Sequence, residues 1–189
     1  MLSIDLAVFH ALNAGVTTPT VVVALARAIS QWLPTAVGAG LAVLLAVGSP
    51  QQRRAVLLAL AAMLLAWAGV HLVRLCVAAP RPAQLGLGIQ WIDHAARASF
   101  PSMHSAGAFA LAAGLTLGGM PRLAAAAWLL AVAMAWSRVC LGVHFPSDVL
   151  AGALTGAIGA GLADGLWTAS RKLNWRGRFS AYWSRQARP

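Results

Sequence analysis

Long apolar runs separated by short polar hinges set the pattern of this chain. "LPTAVGAGLAVLLAVG", "AVLLALAAMLLAWAGVHLV", "SAGAFALAAGLTLGG", "LAAAAWLLAVAMAW" and "VLAGALTGAIGAGLADGLW" approach the roughly 20 residues that cross a bilayer as a helix. The shorter ones need flanking residues or local thinning to complete the crossing. "TPTVVVALARAIS", residues 18–30, is short and interrupted by Arg27. Read as a span it gives six helices and a cytoplasmic N-terminus; read as interfacial it leaves five. Six is the expected number. At the front, Leu2, Ile4, Leu6, Phe9 and Leu12 fit a short helix lying in the membrane interface over residues 1–16. No basic start precedes a compact apolar run there, so the segment does not read as a cleaved signal peptide. The expected fold class is all-α: a polytopic membrane helical bundle forming one domain over residues 1–189.

Composition supports this class, since 60% of the residues are hydrophobic and only 10% charged, against about 25% charged in soluble domains. A formal net charge of +10 would suggest nucleic acid as the partner of a soluble protein. Here the charge serves topology instead, and no nucleic-acid partner is expected. The basic tail over 171–189 holds six of the fourteen Lys and Arg residues, and "SPQQRR" holds two more. Basic residues collect in cytoplasmic loops. Counting spans from that tail places "GGMPRL" inside, and the stretches Arg74–Phe100 and Arg138–Asp148 outside. The protein is therefore expected in the cell (inner) membrane as a multi-pass protein with these stretches on the periplasmic or extracellular face.

Three clusters of polar residues meet at that face. In "RLCVAAPRP", Arg74 and Arg81 stand beside apolar runs, where an arginine is costly and often has an anion to meet; snorkelling at a helix end is the plainer reading. In "FPSMHSAGAF", Pro101 and Ser102 read as a helix start with Ser102 as the cap and His104 in the first turn. Backbone N–H groups at such a start bind phosphate. In "SRVCLGVHFPSD", Pro146 belongs in a first helical turn, so the last helix should begin near Phe145–Ser147. Asp148 then reaches back to His144, where a carboxylate on Nδ1–H fixes the tautomer and leaves Nε2 to attack. A structural His–Asp pair capping a helix is the alternative.

Together the three clusters resemble the type-2 phosphatidic acid phosphatase superfamily, whose pattern is Lys-x6-Arg-Pro, Pro-Ser-Gly-His and Ser-Arg-x5-His-x3-Asp. Here these read Arg74-x6-Arg81-Pro82, Pro101-Ser102-Met103-His104 and Ser137-Arg138-x5-His144-x3-Asp148. The resemblance implies His144 as nucleophile, Asp148 as its orienting carboxylate and His104 as leaving-group acid. It also implies Arg74, Arg81, Ser102, the backbone at Met103 and Arg138 as substrate-binding groups. Two departures, Arg74 for lysine and Met103 for glycine, bear on substrate shape more than on chemistry.

The short chain and the "HAARASFPSMHS" approach look most like bacterial undecaprenyl pyrophosphate phosphatases. Hydrolysis of undecaprenyl diphosphate is thus the expected reaction, with a lipid phosphate as substrate and membrane lipids as surroundings. Phosphatidylglycerol phosphate, phosphatidate and lipid A remain alternative substrates, by hydrolysis or phosphate transfer, and a lipid-phosphate transporter is the non-enzymatic alternative. Four aspartates and no glutamate, scattered along the chain, make a two-metal phosphatase a poor fit, so no metal or other cofactor is expected. Cys76 and Cys140 are expected as buried thiols rather than a disulfide. Trp91 and Ile92 are expected to dip into the interface as lipid contacts.

Overall fold

In a computed structural model, residues 3–93 and 98–186 are described, with 173–186 known as backbone alone. His94, Arg97 and the last three residues of the basic tail lie outside the described residues. The described residues form six α-helices: α1 (Ser3–Leu12), α2 (Thr20–Val47), α3 (Pro50–Cys76), α4 (Met103–Leu117), α5 (Pro121–Cys140) and α6 (Pro146–Gln186). A short 3₁₀ turn, Pro82–Leu85, interrupts the long stretch between α3 and α4. Four helices, α2, α3, α5 and α6, are long and apolar enough to cross a membrane. The chain is a helical membrane protein.

The expected separate span over 18–30 does not form. Residues 20–47 are one helix of 28 residues, with Pro34 inside it. Pro34 removes a single backbone bond, and no Gly, Asn or Ser–Pro turn follows Ser30 to reverse the chain. Arg27 does not break the helix either, because its Nε and Nη2 donate to the Trp91 carbonyl at 3.0 and 2.6 Å. With α2 a single crossing, α1 lies at the same end of the bundle as the His144 loop. That replaces the placement of the N-terminus at the opposite end.

Local chemistry sets the helix ends. Ser49 and Gln52 form a reciprocal capping box ahead of Pro50 at the start of α3. Gln51 Nε2 then donates to the Gly119 carbonyl at 3.2 Å, so the "SPQQRR" and "GGMPRL" hinges share one end. Ser102 caps α4, and α6 begins at Pro146, inside the expected window.

Small residues bring α3, α4 and α6 close together. A Cβ on Gly114 of α4 would lie 2.6 Å from Ala59 Cα of α3. One on Gly156 of α6 would lie 2.7 Å from the Ala110 nitrogen of α4. Lipid gives little hydrophobic drive for helix association, so such close backbone packing is what holds membrane helices together. The 15-residue α4, only about 22 Å long at 1.5 Å per residue, is buried among α3, α5 and α6. Its N-terminus is thereby fixed at the end where α3 and α5 finish and α6 begins.

The C-terminal half of α1 and the residue after it grip this same face. Phe9 is buried against Phe145, with ring centroids 5.2 Å apart. Asn13 Nδ2 donates to the carbonyls of Ile89 and Cys140 at 3.0 and 3.1 Å, and Asn13 Oδ1 accepts from the Ile89 N–H. Gly142 turns there with φ 71°, a left-handed conformation, and a Cβ would overlap the Ile89 carbonyl. Trp91, expected at the lipid, is half-buried and also ties the protein together. Its indole N–H donates to the Ala14 carbonyl at 2.8 Å, and both Trp91 and Ile92 pack on the core formed by Ala14, Leu141 and Val143. Cys76 is an exposed thiol, contrary to the burial expected for it, while Cys140 is a buried one.

Candidate active site

His144 lies in the five-residue turn between α5 and α6, with 1% of its surface exposed. Its Nδ1 is 3.2 Å from Asp148 Oδ2. The spacing follows from Pro146: α6 begins just after His144, so Asp148 occupies its first turn and faces back. The same Oδ2 accepts the Phe145 N–H at 2.9 Å, which holds the carboxylate against the turn. On the other side of the ring, Arg81 Nη1 is 3.4 Å from Nε2. With Nδ1–H donated to Asp148, Nε2 carries the lone pair and accepts from Arg81. The ring is thus in the tautomer that presents a nucleophilic Nε2.

Charge supports that state. Burial pushes the His144 pKa down to about 4; Asp148 pulls it up, while Arg138 and Arg81 push it further down. At neutral pH the ring is uncharged. Burial, and then Arg74, also lower the Arg81 pKa to about 10, which leaves its guanidinium charged. Arg74, Arg81 and Arg138 therefore bring three positive charges to a region with one carboxylate, Asp148. A net two positive charges favour a multiply charged anion beside them.

Each arginine is held by the backbone or by a small side chain. Arg74, in the last turn of α3, donates to the Pro101 carbonyl at 2.9 Å, directly ahead of α4. Arg81 donates to the Val143 carbonyl at 2.7 Å, which ties its loop to the His144 turn. Arg138 is 1% exposed and donates through Nη1 to Ser30 Oγ of α2.

The start of α4 joins the same cluster. The Ser102 N–H donates to the Asp148 backbone carbonyl at 2.9 Å. Ser102 Oγ accepts from the Ser105 N–H and Oγ–H, which leaves its own proton to donate. Met103 packs its side chain on the core cluster that includes Leu58 and Val70 and also borders the apolar cavity. His104, half-buried in the first turn, lines the top of an apolar cavity of about 380 Å³. Leu33, Pro34 and Val37 of α2, Met63 of α3, Leu111 of α4 and Met134 of α5 form much of its wall. From His104 to Leu111 is two helical turns, so the cavity runs about 10 Å into the bundle.

The structure therefore brings Arg81, Ser102, Arg138, His144 and Asp148 into one connected cluster. Arg74 is tied to its edge, and Met103 and His104 stand where cluster and cavity meet. Sequence reasoning missed three contributors. Ser99 is wholly buried, with Oγ donating to Asp148 Oδ2 and standing 3.2 Å from His144 Nδ1. Asp5 of α1 accepts the Ser147 N–H and Oγ–H at 2.9 and 2.7 Å, capping α6 from another helix. Ser30 holds Arg138. Asp5 did carry a signal: a carboxylate inside an apolar interfacial helix is costly without a donor. Ser99 and Ser30 carried none, since buried serines are commonplace among close-packed membrane helices.

Membrane-crossing helices that converge on a buried histidine, its carboxylate partner and three arginines define a class of membrane protein suited to an anionic substrate. The chain belongs to the PAP2 superfamily, whose family model matches residues 55–172, from α3 into α6. It is 34% identical to YbjG of Escherichia coli (strain K12), provisionally named an undecaprenyl-diphosphatase, over 88% of this chain and 84% of that one. It is also 32% identical to the decaprenylphosphoryl-5-phosphoribose phosphatase of Mycobacterium tuberculosis (strain ATCC 25618 / H37Rv), over 85% of this chain and 89% of the other. The crystal structure of Aquifex aeolicus LpxE superposes with a TM-score of 0.69 at 27% identity, covering 86% of this chain and 95% of that one. These relatives support a phosphoric ester hydrolase that acts on a lipid phosphate.

Proposed function

We propose that the protein hydrolyses a polyprenyl diphosphate, undecaprenyl diphosphate foremost, to the monophosphate and inorganic phosphate, through a phosphohistidine and without a metal ion. The observation that carries the reading is the juxtaposition of an oriented, uncharged His144 with a cluster of three arginines whose neighbour is an apolar cavity. Arg74, Arg81 and Arg138 neutralise the oxygens of the terminal phosphoryl group, with Ser102 and the first N–H groups of α4. Arg81 moves from Nε2 to the incoming phosphate. His144 Nε2 then forms a bond to phosphorus as the bond to the bridging oxygen breaks, and Asp148 steadies the ring as it takes up positive charge. His104 gives a proton to the departing oxygen, then takes one from water as that water attacks phosphorus and breaks the N–P bond. The prenyl chain lies in the cavity that begins at His104.

The chain forms a single domain with the reaction on the periplasmic or outer face of the cell membrane, a reading supported by the basic tail and hinges. A second reading, hydrolysis of a polyprenyl phosphate monoester carrying a sugar phosphate, is favoured by the similarity to the mycobacterial phosphatase.

Purified protein assayed with EDTA against undecaprenyl diphosphate, phosphatidate, phosphatidylglycerol phosphate and a lipid A phosphate tests the proposal. Release of phosphate from the diphosphate, lost in His144→Ala while vanadate still binds, is the expected result. Turnover that vanishes with EDTA and returns with magnesium would overturn the mechanism. Phosphatidate as the preferred substrate would overturn the substrate assignment.

A further inference from the structure

We propose that Ser99 is a positioning residue of the nucleophile, setting how His144 and Asp148 meet. The inference rests on the reading of His144 as nucleophile. Ser99 stands three residues before the cap of α4, and its N–H donates to the Ala79 carbonyl at 2.9 Å, two residues from Arg81. Its hydroxyl therefore bridges the loop that carries Arg81 and the first turn of α6. The Oγ–H goes to Asp148 Oδ2, so a lone pair of Oγ faces Nδ1–H of His144. Both acceptors, Ser99 Oγ and Asp148 Oδ2, lie 3.2 Å from Nδ1. One ring proton shared between two acceptors fixes the plane of the imidazole more tightly than a single carboxylate does.

The hydroxyl also tunes the carboxylate. Asp148 Oδ2 accepts from Ser99, from the Phe145 N–H and from His144. Each additional donor spreads its charge and weakens its pull on the ring. The other charged groups acting on the ring are Arg81 from the loop and Arg138 from α5, both of which disfavour its protonation, with Arg74 of α3 acting on Arg81. Asp148 is thus the group that favours the imidazolium, and Ser99 moderates it. A serine that merely filled space would do neither.

The test uses the full chain in detergent with farnesyl diphosphate labelled at its terminal phosphorus, in rapid-quench experiments on wild type, Ser99→Ala and Ser99→Thr. Ser99→Ala should slow formation of the alkali-stable phosphoenzyme about ten- to a hundredfold, the worth of one charge-assisted hydrogen bond. KM should change less than about twofold. The acidic limb of kcat/KM should move to higher pH by roughly one unit, because Asp148 pulls harder on the ring. Ser99→Thr, which keeps the hydroxyl, should restore both rate and limb, and all three proteins should bind vanadate alike.

Wild-type kinetics and an unmoved limb in Ser99→Ala would overturn the proposal. So would loss of vanadate binding in both variants, which would assign Ser99 to the fold alone. Failure of the underlying reading looks different: no phosphoenzyme in the wild type, or one that persists in His144→Ala.

Discussion

Asp5→Ala tests whether α1 belongs to the working site. Asp5 accepts both the N–H and the hydroxyl of Ser147, the second residue of α6. It does from a distance what an N-cap does locally, and it is an anion at the positive end of a helix. Losing a cap costs about 1 kcal/mol and at most about 2. Stranding a half-buried N–H costs about 1–3 kcal/mol, and the two figures overlap because they describe the same bond. We expect a total of about 1–2 kcal/mol for Asp5→Ala, and about half of that for Asp5→Asn, which keeps one acceptor. Because Asp148 shares the turn with Ser147, part of this loss should appear as misalignment of the His144 pair. About 1.4 kcal/mol directed there lowers kcat tenfold. The assay pairs thermal unfolding in micelles with kcat and KM on one lipid diphosphate, and adds Ser147→Ala to close a double-mutant cycle. A coupling of about 1 kcal/mol is expected, since the two residues share a hydrogen bond. If Asp5→Ala matched wild type in both melting temperature and kcat, α1 would be a passenger and the capping argument would fail.

Three further outcomes follow from the site. On the proposed mechanism His144 attacks as the neutral ring, and burial holds its pKa near 4 rather than 6.5; with substrate ionisation divided out, kcat/KM should stay flat from about pH 7 down to about 5 and fall tenfold per unit only below about 4. A limb near 6.5 would show that the ring is not desolvated as described. His104→Ala should slow lipid alkoxide release most, a diphosphate less and p-nitrophenyl phosphate least, because the need for a proton on the leaving oxygen falls in that order; equal losses would remove His104 as the acid. Gly107 lines the cavity with no atom closer than 4.0 Å to its missing Cβ, so Gly107→Leu should raise KM for a long prenyl diphosphate at least about tenfold while p-nitrophenyl phosphate hydrolysis is little changed. An unchanged KM would place the lipid chain elsewhere.

Much of this arrangement was legible before any coordinates, for identifiable reasons. Proline positions are strong constraints, so Pro146 located the start of α6 and with it the His144–Asp148 distance. The Ser102 cap and the apolar runs of α3, α5 and α6 were equally plain. What escaped notice depended on tertiary partners. Arg27 looked like an interruption because its acceptor, the Trp91 carbonyl, is 64 residues away. The Trp91 indole also serves a backbone carbonyl 77 residues away, which no local pattern announces. Ser99, Ser30 and Asp5 act only through residues 45–142 positions distant, beyond the reach of any local pattern.

The uneven packing of α2 has a consequence for how such proteins diversify. Its buried residues are Val23, Ala26, Ser30 and Leu41, so three of the four lie before Pro34. Beyond that point Val37, Gly38 and Leu41 line the cavity, while Leu41, Val37, Leu44 and Leu45 also pack on the core shared with α3, α4 and α5. The helices that carry the reaction are instead locked backbone to backbone through Gly114 and Gly156, where even a methyl group would collide. Substitutions at Gly38, where an added Cβ meets nothing within 4 Å, can therefore reshape the cavity that the proposed function gives to the lipid tail, while the arginines and His144 stay in register. Selection for a new lipid has a place to act that chemistry does not veto, and one catalytic cluster can be passed among carriers of different length and headgroup by rewriting one helix face.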